Sequence, residues 1–288
     1  MIKALIAVFI CITSWAFIPI ASKEILKGMN NYAMLFFSNI ISASILGIYL
    51  FSQNGIRVLK KYSIKDYILM SFLGFLGSFL FYVFLYKAFS LASAQEVFII
   101  NYTWPILITL LGFFILKEKA TLMSLIAITI SFLGVVIIAT KGNLSTLKFT
   151  NLYADILALL GATCFALFSV LGKKVKYDQK IAVFVYFLSA SIFSLATIKA
   201  FQIKFINSNT LFWLFINGAI INGISYIFWF YALKKAKTAL ISNLVYLTPL
   251  ISLVFISLIL KEKIEPYSIA ALFLIMAGIG LQLAKKPT

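Results

Sequence analysis

Long apolar segments recur along the whole chain and decide what kind of fold it can adopt. Ten of them are long enough to cross a bilayer, whose hydrocarbon core requires roughly 20 helical residues. Barrel strands would instead appear as short segments of alternating hydropathy, so the spans are predicted to be α-helices. The predicted spans are 2–21, 32–52, 66–86, 91–116, 121–140, 152–172, 181–200, 210–232, 238–260 and 266–284.

Composition agrees with a chain whose main solvent is lipid. Hydrophobic residues make up 63% of the 288 residues and charged residues 11%, whereas soluble domains carry about 25% charged residues. The first apolar run is longer than a signal-peptide core, and the segment 19–23 is a poor cleavage site. We therefore predict an all-α integral membrane protein of ten transmembrane helices, with the first run as its first membrane helix.

Basic residues in the loops predict the orientation. If the N-terminus is cytoplasmic, sixteen of the 25 lysines and arginines fall on the cytoplasmic side of a ten-span chain. Cytoplasmic loops carry such an excess, so both termini are predicted to face the cytoplasm. The net charge of +17 is spread over separate loops and indicates headgroup contacts rather than nucleic-acid binding.

Several kinds of chemistry find no support in the sequence. The chain has no histidine, and its two cysteines, Cys11 and Cys164, both lie inside apolar runs. Imidazole metal ligands and a Ser-His-Asp triad are therefore excluded, and a zinc site or a disulfide framework is not expected. No phosphate-binding GxxxxGK[ST] motif occurs. We predict no catalytic residue, metal or cofactor, and a monomer whose partners are lipid and a small-molecule substrate.

The chain repeats itself. Matched tyrosine, proline, glycine and Lys-Glu-Lys positions recur at one offset of 144, which chance similarity between Leu-rich helices does not produce. At that offset the segment 102–105 aligns with 246–249, 115–119 with 259–263, Gly74 with Gly218, Tyr82 with Tyr226 and Gly134 with Gly278. A second offset of 150 aligns Thr13, Ala16 and Lys23 with Thr163, Ala166 and Lys173.

Two repeats of five spans each must enter the membrane from opposite sides, because five is odd. We assign residues 1–142 to the first repeat and residues 150–288 to the second. Inverted repeats occur in secondary transporters, where the symmetry supplies two near-equivalent states, one open to each side. The repeat therefore predicts a secondary transporter that works by alternating access.

At these residues the chain resembles the EamA-type drug/metabolite transporter superfamily, with an acidic residue ending the fourth and ninth spans, here Glu118 and Glu262. The segments 95–97 and 101–105 resemble the bacterial aromatic amino-acid exporter branch, and Tyr226, Trp229 and Tyr246 agree with it. The resemblance implies a central cavity lined by spans 1, 3, 4, 6, 8 and 9. It implies export of aromatic or similar amphipathic amino acids across a bacterial inner membrane.

Two predicted spans carry a polar face at helical spacing. Ser71, Gly74, Ser78 and Tyr82 lie on the third span, and Gly218, Asn222, Ser225, Tyr226 and Trp229 lie on the eighth. For the glycines, close helix packing is the favoured interpretation. For Asn222, Tyr226 and Trp229 we favour a cavity, because tyrosine and tryptophan can stack on an apolar substrate and keep a polar group.

Prolines interrupt the fourth and ninth spans. Pro105 and Pro249 lack a backbone donor, which frees the carbonyls of Asn101 and Val245 for a ligand or a hinge. An ordinary bend tolerated in a bundle is the alternative. The predicted lining residues here are Asn101, Tyr102, Trp104 and Tyr246.

Glu96 is the acid that lies furthest inside a predicted span. A charge near the bilayer centre costs about 2.5–3.5 kcal/mol, so Glu96 could bind a substrate ammonium or carry a coupling proton. Alternatively it is interfacial, or pairs with Lys87. Glu118 and Glu262 are interpreted as structural.

Other functions fit the sequence less well. A multidrug or lipid-linked metabolite transporter remains the alternative within the same class, and a non-transporting scaffold or receptor remains outside it. A lipid-modifying enzyme would need clustered polar groups, whereas the eight acidic residues are scattered.

Overall fold

The computed structural model describes residues 1–53, 57, 59–119, 121–261 and 265–284. Within these ranges the fold is all-α, and ten helices are long and apolar enough to cross a membrane. The only β-type pairing there is a single antiparallel bridge between Met29 and Ile203. The predicted fold class is confirmed, as ten transmembrane helices arranged in two inverted repeats.

The helices are numbered in chain order, and letters mark the parts of interrupted ones. They are α1a Ile2–Trp15, α1b Ile18–Ile25, α2 Asn31–Ser52, α3 Ile64–Phe89, α4a Ala94–Asn101, α4b Trp104–Leu116, α5 Leu122–Ala139, α6 Leu152–Lys174, α7 Gln179–Ser194, α8 Ser208–Lys235, α9a Thr238–Leu244, α9b Leu247–Leu260 and α10 Pro266–Ala284. A 3₁₀ turn, Leu195–Ala200, extends α7.

Short polar side chains begin several of these helices by accepting a backbone hydrogen bond that the first turn leaves unpaired. Ser63 and Asp66 form a reciprocal capping box at the start of α3. The other N-caps with such a bond are Asn30, Ser93, Thr121, Asn151, Asp178 and Asn207. These caps fix where the apolar segments enter the membrane.

Three spans are broken, and each break lies next to a proline. Pro19 occupies the first turn of α1b and Pro105 that of α4b, where a missing N–H costs nothing. Pro249 lies near the start of α9b. The break in the first span was not predicted, and that span runs to Ile25 rather than residue 21. The remaining predicted boundaries lie within a few residues of the observed ones.

α3 and α8 each contain a π-helical segment, Phe75–Leu80 in one and Asn217–Ile224 in the other. The two segments overlap when the repeats are aligned at the offset of 144. A π turn inserts one residue and shifts every later side chain around the helix. The polar faces predicted from ordinary helical spacing are therefore not continuous in either helix.

Glycines at equivalent positions allow close packing between the repeats. A Cβ on Gly134 of α5 would meet Ile275 and the Ala271 carbonyl of α10, and one on Gly278 would meet Ser131 and Ala127 of α5. Gly74 likewise faces the Tyr186 backbone of α7, and Gly218 faces Ile41 and Ser38 of α2. The packing interpretation of the glycines is confirmed, since small residues let helix backbones approach.

Candidate functional site

Three tryptophans from three different spans meet at the centre of the protein. Trp15 ends α1a, Trp104 begins α4b, and Trp229 lies on α8. The ring centroid of Trp229 lies 5.3 Å from Trp15 and 5.8 Å from Trp104, and Trp15 and Trp104 are 6.3 Å apart. None of the three is more than 7% exposed. They form the centre of the candidate site.

Two further rings complete this aromatic cluster. Phe165 of α6 lies 4.9 Å from Trp104, and Tyr226 of α8 lies 5.6 Å from Trp15, both edge to face. The cluster of Trp15, Trp104, Phe165, Tyr226 and Trp229 thus joins helices of both repeats. Edge-to-face pairs of this kind contribute about 0.5–1.5 kcal/mol beyond the area they bury. The rings close the centre in this conformation.

Serine hydroxyls accept the indole N–H groups of the cluster. Trp15 Nε1 donates to Ser225 Oγ at 2.9 Å, and also to the Ile221 carbonyl at 3.2 Å. Trp229 Nε1 donates to Ser169 Oγ at 3.1 Å. A buried indole needs such a partner. These bonds fix the orientation of two rings, which pack against the other rings of the cluster in this conformation.

Carbonyls at two of the helix breaks accept hydroxyls from α9b or its N-cap. The Tyr246 hydroxyl donates to the Tyr102 carbonyl at 3.1 Å. Ser252 Oγ donates to the Ala16 carbonyl at 2.7 Å. The sequence predicted free carbonyls at Asn101 and Val245, but the Val245 carbonyl accepts from the Thr248 N–H at 2.8 Å. The carbonyl that joins the two breaks is that of Tyr102. Tyr102 and Tyr246 occupy equivalent repeat positions, so this bond joins the two breaks.

Buried polar atoms lie unpaired beside the same breaks. Within the described residues, Asn101 Oδ1, Asn243 Oδ1 and Thr248 Oγ1 have no hydrogen-bond partner, and their side chains are 8% exposed or less. Buried polar groups are normally paired with protein or water. These three atoms are therefore the positions near the breaks where water or a polar ligand group would be stabilised.

The other predicted pathway residues have mixed surroundings. Tyr82 and Tyr226, which are equivalent in the repeat, lie near enough for their hydroxyls to interact. Asn222 is buried, and so is Ser78, whose carbonyl accepts from Asn39 Nδ2 at 3.3 Å. Ser71 does not face the centre, because its hydroxyl accepts from Ser189 of α7 at 3.0 Å. The π segment separates Ser71 from the Tyr82 face.

Glu96 joins the start of α4a to the start of α6. Its Oε1 accepts from the Thr150 N–H at 2.7 Å and the Asn151 N–H at 3.4 Å, and its Oε2 accepts from Thr150 Oγ1 at 3.0 Å. The Asp155 carboxyl lies near enough to interact with Glu96 electrostatically. We call these four residues the Glu96 contact. Its partners belong to the second repeat, and Lys87 is not among them.

Glu118 joins the opposite end of the fourth span to α6 and α9a. Its Oε1 pairs with Lys173 Nζ at 2.5 Å. Its Oε2 accepts from the Thr238 N–H at 2.9 Å and from Thr238 Oγ1 at 2.8 Å. Lys173 also donates to the Ala236 carbonyl at 2.6 Å. We call these four residues the Glu118 contact, and it agrees with a structural role. Glu262, its repeat equivalent, lies outside the described residues.

A hydrogen bond from an uncharged donor to a carboxylate lies at the same end as Glu118. The Tyr177 hydroxyl, in the loop after α6, donates to Asp66 Oδ1 at 2.9 Å. Burial, together with the Asp66 carboxylate, raises the pKa of Tyr177 to about 12. The hydroxyl therefore remains a hydrogen-bond donor across the physiological pH range.

The structure brings together part of the predicted site. Trp104, Tyr226 and Trp229 meet in the aromatic cluster, whereas Glu96 lies at a helix end beyond a break in the span. Sequence reasoning missed Trp15 and Phe165. The offset of 150, which already aligned Ala16 with Ala166, would also have paired these two rings. Their centroids are 6.1 Å apart.

The groups at this centre are of the kind that recognise an amphipathic ligand. Across the described ranges no three Cys, Asp or Glu side chains come together as metal ligands would. What the cluster offers is aromatic faces, and the breaks beside it offer unpaired amide and hydroxyl oxygens. Such a combination suits a ligand with one apolar ring or chain and one polar end.

A profile of the EamA-like transporter family matches residues 2–140 and 152–283. A relative named "Uncharacterized transporter" from Archaeoglobus fulgidus is 28% identical over 286 residues, covering 95% of this chain and 93% of the relative. "Uncharacterized transporter YoaV" from Bacillus subtilis is 24% identical and covers 97% of this chain and 96% of the relative.

One solved structure has the same architecture over nearly its whole length. A crystal structure of a protein superposes with a TM-score of 0.87 at 18% sequence identity, covering 98% of this chain and 96% of that chain. At this identity the likeness concerns the fold alone.

Proposed function

This chain belongs to the EamA-like transporter family, and we propose that it is a secondary transporter that moves amphipathic metabolites by alternating access. Aromatic amino acids are the proposed cargo, and export is the proposed direction. The observation that carries this proposal is the aromatic cluster of Trp15, Trp104, Phe165, Tyr226 and Trp229 at the meeting point of both repeats.

The surroundings of the cluster support cargo with an apolar ring and a polar end. The ring faces can stack on an aromatic side chain. Asn101 and Thr248 present unpaired oxygens near the breaks, and an oxygen of this kind accepts from an ammonium or hydroxyl. Interrupted helices are also where transporters of several folds bind polar groups, because their backbone is not fully paired.

Alternating access requires the rings to part, since the cluster is buried in this conformation. α1 and α4 are broken beside Trp15 and Trp104, so each ring is attached to a half-helix that can move relative to the other half. The chain has no nucleotide-binding motif, and the driving force is proposed to be an ion or solute gradient.

Counterflow in liposomes tests this function. Protein reconstituted with unlabelled phenylalanine or tryptophan inside should accumulate labelled amino acid from outside, whereas glutamate and lysine should not exchange. Trp104→Phe keeps a ring and should keep part of the rate. Trp104→Ala should lose most of it, because no face remains for stacking.

The matched control is Trp213, the fourth tryptophan, which lies on α8 outside the cluster with its ring against Phe212. Trp213→Ala should leave counterflow unchanged. Exchange of cationic drugs or lipid-linked sugars alone would favour the other cargo class within the family. Absence of exchange for every solute in folded protein would favour a scaffold or receptor instead.

A further inference from the structure

The π segment of α8 is held at its start by hydrogen bonds with α2. Asn217, the first residue of the segment, donates from Nδ2 to Ser38 Oγ at 2.8 Å. The next carbonyl, that of Gly218, accepts from Ser42 Oγ at 2.6 Å. Ser38, Ser42 and Asn217 are each 4% exposed or less. Two buried bonds between α2 and α8 therefore fix the first turn of the segment.

The other half of the same segment reaches the aromatic cluster. Its Ile221 carbonyl accepts from Trp15 Nε1 at 3.2 Å, and Ser225, directly after the segment, accepts from the same indole at 2.9 Å. Tyr226 and Trp229 follow within the next five residues of α8. The π segment thus lies between α2 and the rings, and its geometry determines the direction in which both rings point.

The direction of the rings depends on the helix type of this segment. A carbonyl in a π turn pairs with the N–H five residues ahead, whereas in an α turn it pairs with the N–H four residues ahead. Conversion of the segment to α-helix would turn all later residues by about 100° and move them by about 1.5 Å along the axis. Tyr226 and Trp229 would then leave the positions in which they contact Trp15. π turns are rare, and the two bonds with α2 favour this one.

The Ser42 hydroxyl has two acceptors for its single hydrogen. Besides the Gly218 carbonyl at 2.6 Å, the Ser38 carbonyl of its own helix lies at 2.8 Å. A serine in a helix can bond to the carbonyl four residues back, so Ser42 can release Gly218 without losing a partner. The Gly218 carbonyl would then pair with the Asn222 N–H, as an α turn requires. The contact therefore favours the π geometry without making it permanent.

This use of polar side chains distinguishes α2 from α7, the second span of the other repeat. On α7, the Ser191 and Ser194 hydroxyls donate at 2.7 Å to carbonyls of their own helix. The π segment of α3 also receives a donor from α2, because Asn39 Nδ2 donates to the Ser78 carbonyl at 3.3 Å. α2 thus contacts both π segments, and its bonds to α8 are the shorter ones.

We propose that α2 is a positioning helix, in which Ser38 and Ser42 hold the π segment of α8 in the geometry that directs Tyr226 and Trp229 into the aromatic cluster. α2 is not among the spans that the family resemblance assigns to the cavity lining, so it acts through α8. Release of the Gly218 carbonyl converts the segment to α-helix and turns both rings out of the cluster.

The purpose of this positioning rests on the proposed function, because transport requires the rings to part. Trp15 and Trp104 each adjoin a helix break, whereas Trp229 lies within a continuous part of α8. Conversion of the π segment gives Trp229 a comparable freedom to move. The orientation of its ring can be measured without any substrate.

Fluorine NMR of protein containing 5-fluorotryptophan tests the proposal. The chain has four tryptophans, and single Trp→Phe variants assign their resonances. Trp213 precedes the π segment on α8, and Trp229 follows it. Ser42→Ala removes the bond to Gly218 and should shift the Trp229 resonance, because the neighbouring rings that surround its fluorine change. The Trp213 resonance should stay in place, because α8 before the segment does not turn.

Two serine variants make the test specific. Ser38→Ala removes the acceptor of Asn217 and should shift the Trp229 resonance in the same direction, which keeps the test decisive if Ser42→Ala does not fold. Ser194→Ala is the matched control, because Ser194 is as fully buried as Ser42 and its hydroxyl bonds within α7. It should leave the Trp229 resonance in place.

Deletion of Ile220 separates helix type from general loosening. Ile220 lies inside the segment and is 38% exposed. Removing one residue lets the segment become α-helical without turning the residues after it, because a π turn contains one additional residue. In protein that lacks Ile220, Ser42→Ala should therefore no longer shift the Trp229 resonance.

Three results would each overturn the proposal. The first is a Trp229 resonance that neither Ser42→Ala nor Ser38→Ala shifts. The second is an equal shift with Ser194→Ala. The third is a shift that Ser42→Ala still causes after deletion of Ile220.

Transport and ring positioning can fail separately. Counterflow of no solute, combined with the expected shifts of the Trp229 resonance, would reject the proposed function and keep the role of α2. Counterflow that depends on Trp104, combined with a Trp229 resonance that both serine variants leave in place, would reject the role of α2 alone.

Discussion

Each end of the fourth span carries a glutamate that is hydrogen-bonded to a threonine of the second repeat. The further partner of the glutamate differs between the two ends. At each end a glutamate accepts the N–H and the hydroxyl of one threonine from the second repeat, Thr150 for Glu96 and Thr238 for Glu118. The Glu118 contact adds the cation Lys173, whereas the Glu96 contact adds the acid Asp155. One glutamate is paired with a cation, and the other is held by neutral hydrogen-bond donors.

Duplication does not account for this likeness. At the offset of 144, Glu96 aligns with Leu240 and not with an acid. The two contacts are therefore not copies of one another within the repeat. Their difference teaches that the repeat supplies equivalent helices, while residues outside the repeat pattern determine which end carries an ion pair.

The largest expected effect is in cysteine labelling, which reports the side of the membrane on which each end of the fourth span lies. Ser145, in the exposed linker near the Glu96 contact, should label completely as Ser145→Cys from outside intact cells. Lys176, exposed after α6 near the Glu118 contact, is the matched control. Lys176→Cys should label only after permeabilisation, because sixteen basic residues mark that side as cytoplasmic. The reverse labelling pattern would place the Glu96 end in the cytoplasm and would contradict the predicted orientation.

Among the substitutions at the two contacts, the one that removes the Glu118 side chain should lower the free energy of unfolding the most. Glu118→Ala leaves Lys173, whose side chain is 14% exposed, without its counter-ion, and it leaves the Thr238 donors unpaired. We expect the free energy of unfolding in an SDS titration to fall by about 3 kcal/mol, as for a buried pair that loses one partner. Lys27→Ala breaks an exposed pair with Glu24 and should change little. Equal losses of unfolding free energy for Glu118→Ala and Lys27→Ala would contradict this prediction.

Glu96→Ala should cost less than Glu118→Ala. The substitution also deletes hydrogen bonds to Thr150 and Asn151, but the acid left behind, Asp155, can ionise or remain protonated at little cost. We expect a loss of about 1–2 kcal/mol in the same titration, typical of hydrogen bonds to a charged group. A loss larger than that of Glu118→Ala would show that the Glu96 contact is the stronger one.

The smallest effects should come from the threonine hydroxyls alone. Thr→Val keeps the backbone N–H and the shape, and removes only the hydroxyl bond. Thr238 is 1% exposed, whereas Thr150 is exposed. Thr238→Val should therefore cost about 1.5 kcal/mol and Thr150→Val about 0.5 kcal/mol, because water replaces the exposed bond. Thermal melts of the two variants side by side would resolve the order, and the opposite order would contradict it.

Much of the fold could be predicted from the pattern of apolar residues, because a lipid environment restricts which structures can span it. Each span must pair its own backbone bonds and must be about 20 apolar residues long, so hydropathy located all ten. Because each repeat has an odd number of spans, the duplication predicted the inverted arrangement. Two prolines predicted two of the helix breaks. The break at Pro19 escaped because one proline in an apolar run does not tell a kink from a break.

The candidate site was predicted only in part, for reasons that lie in the backbone. Ordinary helical spacing predicted that Ser71 and Tyr82 lie on one face of the helix. The π segment between them rotates the later side chains about the helix axis, so the two residues lie on different faces. Trp229 and Tyr226 lie after the corresponding segment in α8 and keep their spacing within an ordinary helix. Periodicity is reliable only while the helix type stays constant.

The sequence by itself determined the class of solvent, the number of spans, the repeat and the family, because each follows from hydropathy or from matched residues along one dimension. Only the tertiary structure decided which side chains meet. Trp15, Trp104 and Trp229 come from three distant spans, and Glu96 finds its partners 54 and 55 residues away. Contacts between helices depend on rotation about each helix axis, which breaks and π turns reset, and no local pattern records that rotation.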